Sequence, residues 1–241
     1  MSERESVLLE RGFVLHQRPF RNTSQLVECL TEGHGRIGLV AQGSRQGPRP
    51  RRALLQPFVP LRLSWIRRGE LGRLTDVEAD GQGLALGPEP LLAAYYVNEL
   101  ALRLCARGDA NDEVFSCYSR CLAELAAGSA LARTLRIFEL RFLRALGFGL
   151  ELDRDAESGE PLKPEFRYRF ELERGPRADE RIADHEGYWG RELLSLGAED
   201  LHDEESLRAA RRLLARVLES YLGDRPLKSR AVLKDIVARG L

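Results

Sequence analysis

The chain has 241 residues, 43% of them hydrophobic and 31% charged, which excludes a disordered polymer and leaves room for one large domain or two to three small ones. No window approaches the roughly 18 apolar residues of a membrane span, and the opening MSERESVLLE lacks the basic and apolar regions of a secretory signal, so a cytoplasmic protein without membrane contact is expected. Net charge is zero, yet residues 11–75 hold twelve arginines against three acids (Glu28, Glu32, Glu70), so this segment carries +9 and the rest −9.

Residues 12–80 read as all-β. GFVLHQRPF and SQLVECLTE carry strand patterns, and EGHGRIGLVAQG reads as a hairpin with Gly33 and Gly35 at its turn. The Gly-, Pro- and Arg-rich GSRQGPRPRR is a loop, after which LLQPFVPLRLSWI and GELGRLTDVEAD supply two more strands. Five strands in about 70 residues fit a small Greek-key barrel. The pattern suits an OB-fold and an SH3-like barrel equally.

From Pro88 the spacing turns helical. PEPLLAAYYVNELALRLCARG, NDEVFSCYSRCLAELAAG and SALARTLRIFELRFLRALGFG each close on glycine, with Asp109 and Ser129 as expected N-caps of the second and third helices. Residues 149–190 interrupt the helices: FRYRFELERG alternates Phe166, Tyr168, Phe170 and Leu172 with charges, as a strand or hairpin does, and RGPRADERIADHEG is expected to loop out. Helices resume near Gly190 with GRELLSL, EESLRAARRLLARVLESYLG and a short RAVLKDIVA.

No catalytic constellation is present among motifs that sequence can reveal. P-loop, nucleophile-elbow, H-E-x-x-H and Rossmann patterns are all missing. The four cysteines (Cys29, Cys105, Cys117, Cys121) are too sparse for a disulfide framework and read as core thiols, although Cys117 and Cys121 lie one helical turn apart. Asp153, Asp155 and Glu157 form an acidic turn, read as solvated. The chain is therefore expected not to be an enzyme.

A basic barrel has a ready partner in nucleic acid, with phosphates running along arginines while bases stack on aromatic rings. The sheet is accordingly expected to face nucleic acid, with Arg18, Arg21, Arg36, Arg45, Arg49, Arg51 and Arg52 as phosphate contacts and Phe20 and Trp65 as stacking platforms. Core packing is the competing role for both rings. The arginine preference itself, 34 against three lysines, runs through every segment and says nothing about phosphates. A second basic surface is expected on the helix bearing Arg208, Arg211, Arg212 and Arg216.

FVLHQRPFRNTSQLVECLTEGHGRIGLVAQGSR, with its Arg-Pro-aromatic strand end and Val-Ala-x-Gly-Ser-Arg loop, resembles the opening of the RecO family of bacterial DNA repair and recombination mediators. LLQPFVPLRL, YYVNEL, RIFELRFLRALGFG, SGEP and PLKSR continue the likeness in family order. The resemblance implies an α+β chain in two parts: an N-terminal OB-fold over residues 1–80, then a mainly helical domain over 88–241 with a small β-hairpin insertion in 149–190. It also implies a nucleoid-associated protein that binds single- and double-stranded DNA, anneals complementary strands and acts with RecR to load RecA onto DNA coated by the single-stranded-DNA-binding protein. The coating protein's acidic, phenylalanine-ended tail would dock on TLRIFELRF, with Arg136 as partner of its terminal carboxylate.

Many members carry a four-cysteine zinc site, but here the first Cys-x-x-Cys position reads DRDAESGEP, with Asp155 and Ser158 in place of thiolates. No zinc or other cofactor is expected, and 155–190 should be held by packing alone and be more mobile than in zinc-bearing relatives. Two other functions remain open on the residues alone: an RNA- or tRNA-binding OB-fold adaptor, and a hydrolase with a metal in the 153–160 turn.

Overall fold

In the computed structural model, residues 5–44, 53–179, 181–183, 186–223 and 225–229 are described. Five strands, β1 (Glu5–Phe20), β2 (Ser24–Thr31), β3 (Gly35–Ala41), β4 (Leu61–Arg67) and β5 (Leu71–Ala79), close a barrel in the order β1-β2-β3-β5-β4. The parallel β3–β5 pair within this order is the OB-fold arrangement and settles the choice between the two barrels.

One long strand makes closure possible. The first half of β1 pairs with β4 and the second half with β2, and a register shift in each half bends the strand between its two partners. β1 also begins earlier than its hydrophobic pattern indicates, because Leu8 and Leu9 point outward at 76% and 50% exposure and disguise the period of two. Inside, Val14, Val27, Cys29, Ile37, Leu39, Leu63 and Trp65 form the core. LLQPF precedes β4 rather than belonging to it.

Helices α1 (Pro88–Leu104) and α2 (Asp112–Ala126) follow, α1 starting on proline where a missing N–H costs nothing. Asn98, in the middle of YYVNEL, is buried and bridges the elements: its Nδ2 donates to the Leu15 carbonyl at 3.0 Å, and its Oδ1 accepts from the Tyr118 hydroxyl at 2.6 Å. Burial pushes the Tyr118 phenol well above its ordinary pKa, so it stays a donor. The α2 cap is Asn111, whose side chain accepts from the Val114 amide at 3.0 Å, and not Asp109. The Asp109 carbonyl instead lies close against Gly35 of β3.

Helix α3 (Leu131–Ala145) has Ala130 at its N-cap without a side-chain bond, so Ser129 does not cap it. Strands β6 (Arg167–Glu171), β7 (Gly175–Ala178) and β8 (Tyr188–Trp189) form a sheet ordered β7-β6-β8, followed by α4 (Gly190–Gly197) and α5 (Glu204–Leu222). GPRA, expected in a loop, is thus a strand paired with RYRFE. RAVLKDIVA lies outside the described residues.

The chain divides into two compact units, Met1–Gly128 with Leu227–Leu241, and Ser129–Pro226. Within the first, Leu227 is buried, and Glu99 on α1 accepts the amides of Lys228 and Ser229 at 3.0 and 2.9 Å. Lys228 and Ser229 of PLKSR are thereby tied to the helix of YYVNEL. Among the described residues no helix is long and apolar enough to cross a membrane.

Candidate nucleic-acid interface

The end of β1 carries Arg18 and Phe20, and the β1–β2 turn begins with Arg21. Arg18 and Phe20 are two residues apart on β1 and so share a face. Arg21 holds a positive φ of 52° beyond the strand end, and its guanidinium lies 5.3 Å from the Phe20 ring centroid. Phe20 is half-buried and Arg18 and Arg21 are exposed. A ring with one side held by a cation still offers apolar surface to a base.

Cross-strand register extends this surface. Arg18 pairs with Leu26, Leu26 with Val40, and Val40 with Arg73 on β5, so Arg18 and Arg73 lie on the outer side of the barrel at the two ends of a row whose middle, Leu26, is buried. Three strand steps at about 4.8 Å each set them roughly 14 Å apart along the sheet. Arg68 is exposed in the β4–β5 turn beside Arg73. These two turns are the ones through which OB-folds bind oligonucleotides.

Charge pairing explains why these arginines stand out. Arg11 pairs with Glu32 at 3.0 Å and Asp80 at 3.3 Å, Arg62 with Asp80 at 3.0 Å, and Arg67 with Glu5 at 2.7 Å. Glu5 and Asp80 come from outside the basic stretch, so folding neutralises part of the excess. Arg18, Arg21, Arg68 and Arg73 form no ion pair with any described residue. The sequence does not single out Arg68 and Arg73; the hairpin WIRRGELGR is the available signal, and only the barrel order makes it a candidate binding turn.

Two expected contacts are corrected, and with them the expectation of an open sheet face. Trp65 is 0% exposed in the barrel core, its ring edge-on to His34 at 5.1 Å, so it cannot stack on a base. Arg36 donates to the Leu102 carbonyl and lies 3.9 Å from Glu28, which makes it a tie between β3 and the end of α1. The β2–β3 face itself is covered: every residue of β2 except Glu28 is buried, Arg107 pairs with Glu28, and the Gly108 amide donates to the Arg36 carbonyl at 2.8 Å. The open arginines thus lie at the strand ends and not across the sheet. Arg45, Arg49, Arg51 and Arg52 lie outside the described residues.

In the second unit, Arg136 is on α3 with its side chain 13% exposed, paired to the 2% exposed Glu139. Its first duty is to neutralise a buried carboxylate; its Nε has no hydrogen-bond partner. The expectation that packing alone holds 155–190 is overturned by Asp155. Its buried carboxylate accepts the Glu157 and Ser158 amides at 3.0 and 2.8 Å, the Ser158 hydroxyl at 3.0 Å and the Ala178 amide at 2.7 Å. Arg169 reinforces the hairpin through Asp179 at 3.1 Å, and Arg177 through Glu157 at 2.6 Å.

All four cysteines are buried and unbridged thiols. Burial pushes the Cys29 thiol far up and the Cys105 thiol to about 11, so both stay protonated at neutral pH. Among the described residues no three His, Cys, Asp or Glu side chains are grouped as a metal site.

The family models for the recombination protein O N-terminal and C-terminal regions match residues 6–81 and 88–231. A protein of Methylococcus capsulatus named DNA repair protein RecO is 42% identical over 95% of this chain and 93% of its own length. Proteins of the same name from Xanthomonas campestris pv. campestris and Nitrosococcus oceani are 43% and 42% identical, covering 96% and 95% of this chain and 98% and 94% of theirs.

Proposed function

Because the chain belongs to the RecO family of DNA repair and recombination proteins, we propose that it is a non-enzymatic mediator that binds single- and double-stranded DNA and anneals complementary strands in the cytoplasm, at the nucleoid. The observation that carries this reading is the set of arginines without carboxylate partners among the described residues, Arg18, Arg21, Arg68 and Arg73, in and next to the β1–β2 and β4–β5 turns of an OB barrel, with the half-buried Phe20 beside Arg21. Arginine forks hold phosphates bidentately, and an aromatic ring accepts any base, so binding is tolerant of sequence and weakened by salt. Two strands repel through their phosphates; a surface that screens both lets them pair. Pairing itself supplies the free energy, so no nucleotide is hydrolysed.

Family membership further supports action with RecR in loading RecA onto strands coated by the single-stranded-DNA-binding protein. Docking of that protein's acidic tail on α3 requires Arg136 to serve the tail carboxylate while still paired with Glu139.

The test is annealing of complementary oligonucleotides, bare and coated, across a salt series without ATP or metal. Annealing that fades steeply with salt and persists on coated strands is expected. Annealing of bare strands alone removes the tail-docking role. Absence of annealing at every salt concentration, with preference for folded RNA, contradicts the proposal.

A further inference from the structure

The end of β1 has a strand on one side only. Pairing with β4 stops at Gly12 and Leu61, a single bridge joins Val14 to Pro57, and from His16 to Phe20 the one strand neighbour among the described residues is β2. On the other side lie residues 56–58 and α1: Gln17 Nε2 donates to Gln56 Oε1 at 3.1 Å, and Asn98 on α1 donates to the Leu15 carbonyl. Pro19, which has no N–H, blunts this edge against a further protein strand.

Tyr95 stands where residues 56–58 meet α1. Its ring lies 5.0 Å from that of Phe58 at 78°, and a T-shaped contact takes at most one of its two faces. At 45% exposure it is the most exposed aromatic side chain among the described residues. The rest of YYVNEL is engaged elsewhere: Tyr96, Val97 and Leu100 are buried, Asn98 holds Leu15 and Tyr118, and Glu99 holds Lys228 and Ser229. Phe58 supports Tyr95 from a φ of 68°, a left-handed conformation that is unfavourable for a bulky residue.

His16, Arg18 and Phe20 follow on the outer face of β1, alternating with Gln17, which pairs with the core residue Val27. The acids nearest this line are occupied. Glu28, opposite His16, pairs with Arg107, and Glu99, one helical turn from Tyr95, accepts the Lys228 and Ser229 amides.

We propose that Tyr95 is a second stacking platform for the single strand held at Phe20 and Arg18, the strand running along the edge of β1 that has no strand partner. The proposal rests on DNA binding at the barrel turns. A nucleic-acid strand binds through phosphates and base faces, so the proline that deters a protein strand does not obstruct it. Three residues of β1, about 10 Å, separate Phe20 from Gln17, and an OB-fold covers about 4–16 nucleotides, enough to continue past Gln56 to Tyr95.

The variants to make are Tyr95→Ala and Tyr95→Phe, with folding checked by thermal melts and binding read by anisotropy on oligothymidylates of about 4 and about 12 nucleotides. Tyr95→Ala should weaken binding of the longer strand about tenfold and of the shorter less than about twofold, while Tyr95→Phe stays within about twofold of wild type on both. No loss on the longer strand, or equal loss on both lengths, overturns the path along β1; loss with Tyr95→Phe as well overturns stacking. In either case continued sensitivity to Phe20→Ala leaves the barrel function standing, whereas a wild-type protein that binds neither strand removes both. A measurement without variants is ultraviolet crosslinking of an iododeoxyuridine oligonucleotide to the wild-type chain. An adduct on Tyr95 is expected, and an adduct map that omits Tyr95 contradicts the site.

Discussion

The carboxylate of Asp155 accepts the backbone amide of Ala178 at 2.7 Å, joining a turn to a strand 23 residues later. Its other oxygen gathers the amides of Glu157 and Ser158 and the Ser158 hydroxyl. A zinc ion would cross-link such a segment through thiolates; here one carboxylate does so through hydrogen bonds. Asp155→Ala leaves these amides without their acceptor, and hydrogen bonds to a charged group contribute about 1.5–3 kcal/mol each. The expected loss is about 2–4 kcal/mol, read as a lower Tm, with faster amide exchange at Ser158 and Ala178. Unchanged exchange there would show that packing suffices.

Acid should weaken both units in the same pH range. Burial works against ionisation of Asp155, but the amides of Ser158, Ala178 and Glu157 and the Ser158 hydroxyl outweigh it and hold its pKa below the ordinary value. Burial likewise opposes Glu99, and the hydroxyl and amide of Ser229, the Lys228 amide and Arg103 overcome it. A lowered folded pKa adds stability above the unfolded value of about 4, and that stability is lost as pH falls through the folded value. Tm should therefore be level from neutral pH to about 5 and decline below about 4. Asp155→Asn/Glu99→Gln should start lower and decline less. A decline centred above pH 6 would contradict this assignment.

The two aromatic residues should separate cleanly. Trp65→Ala empties a fully buried core site and should cost about 3–5 kcal/mol. Phe20→Ala should leave Tm nearly unchanged and weaken single-strand binding by about 1–3 kcal/mol. The reverse pattern, measured by thermal melts and oligonucleotide anisotropy, would place the stacking ring in the wrong element.

Gly35 fixes how the end of α1 meets the barrel. Its φ is 63°, and a Cβ there would sit 1.9 Å from the Asp109 carbonyl oxygen. Gly35→Ala combines left-handed strain with backbone overlap and should destabilise by about 2 kcal/mol or more. A neutral Gly35→Ala would mean that Gly108 and Arg107 do not cover β3 as described.

Local periodicity was enough to reveal β2, β3 and the helices, because their apolar residues face one core at fixed spacing. The parallel β3–β5 pairing was not legible, since it joins strands distant in sequence without a local signature. The proposed binding surface was half legible. Arg18, Phe20 and Arg21 follow from a strand end, but Arg36 and Trp65 look the same in sequence until the end of α1 covers one and the barrel encloses the other. Arg68 and Arg73 emerge only once Glu5 and Asp80 are seen to satisfy their neighbours Arg67 and Arg62. Asp155 is visible in the sequence as a substituted thiolate, while its reach to Ala178 depends on β7, which its Gly-Pro sequence conceals.

The most direct test of the binding surface is the salt dependence of oligonucleotide affinity for wild type and Arg18→Ala/Arg21→Ala/Arg73→Ala. Each phosphate contact contributes about 0.7 to the slope of log K against log salt on a single strand. Loss of three should make the slope shallower by about 2 while the fold is retained. An unchanged slope and affinity would contradict the assignment of DNA to the barrel turns.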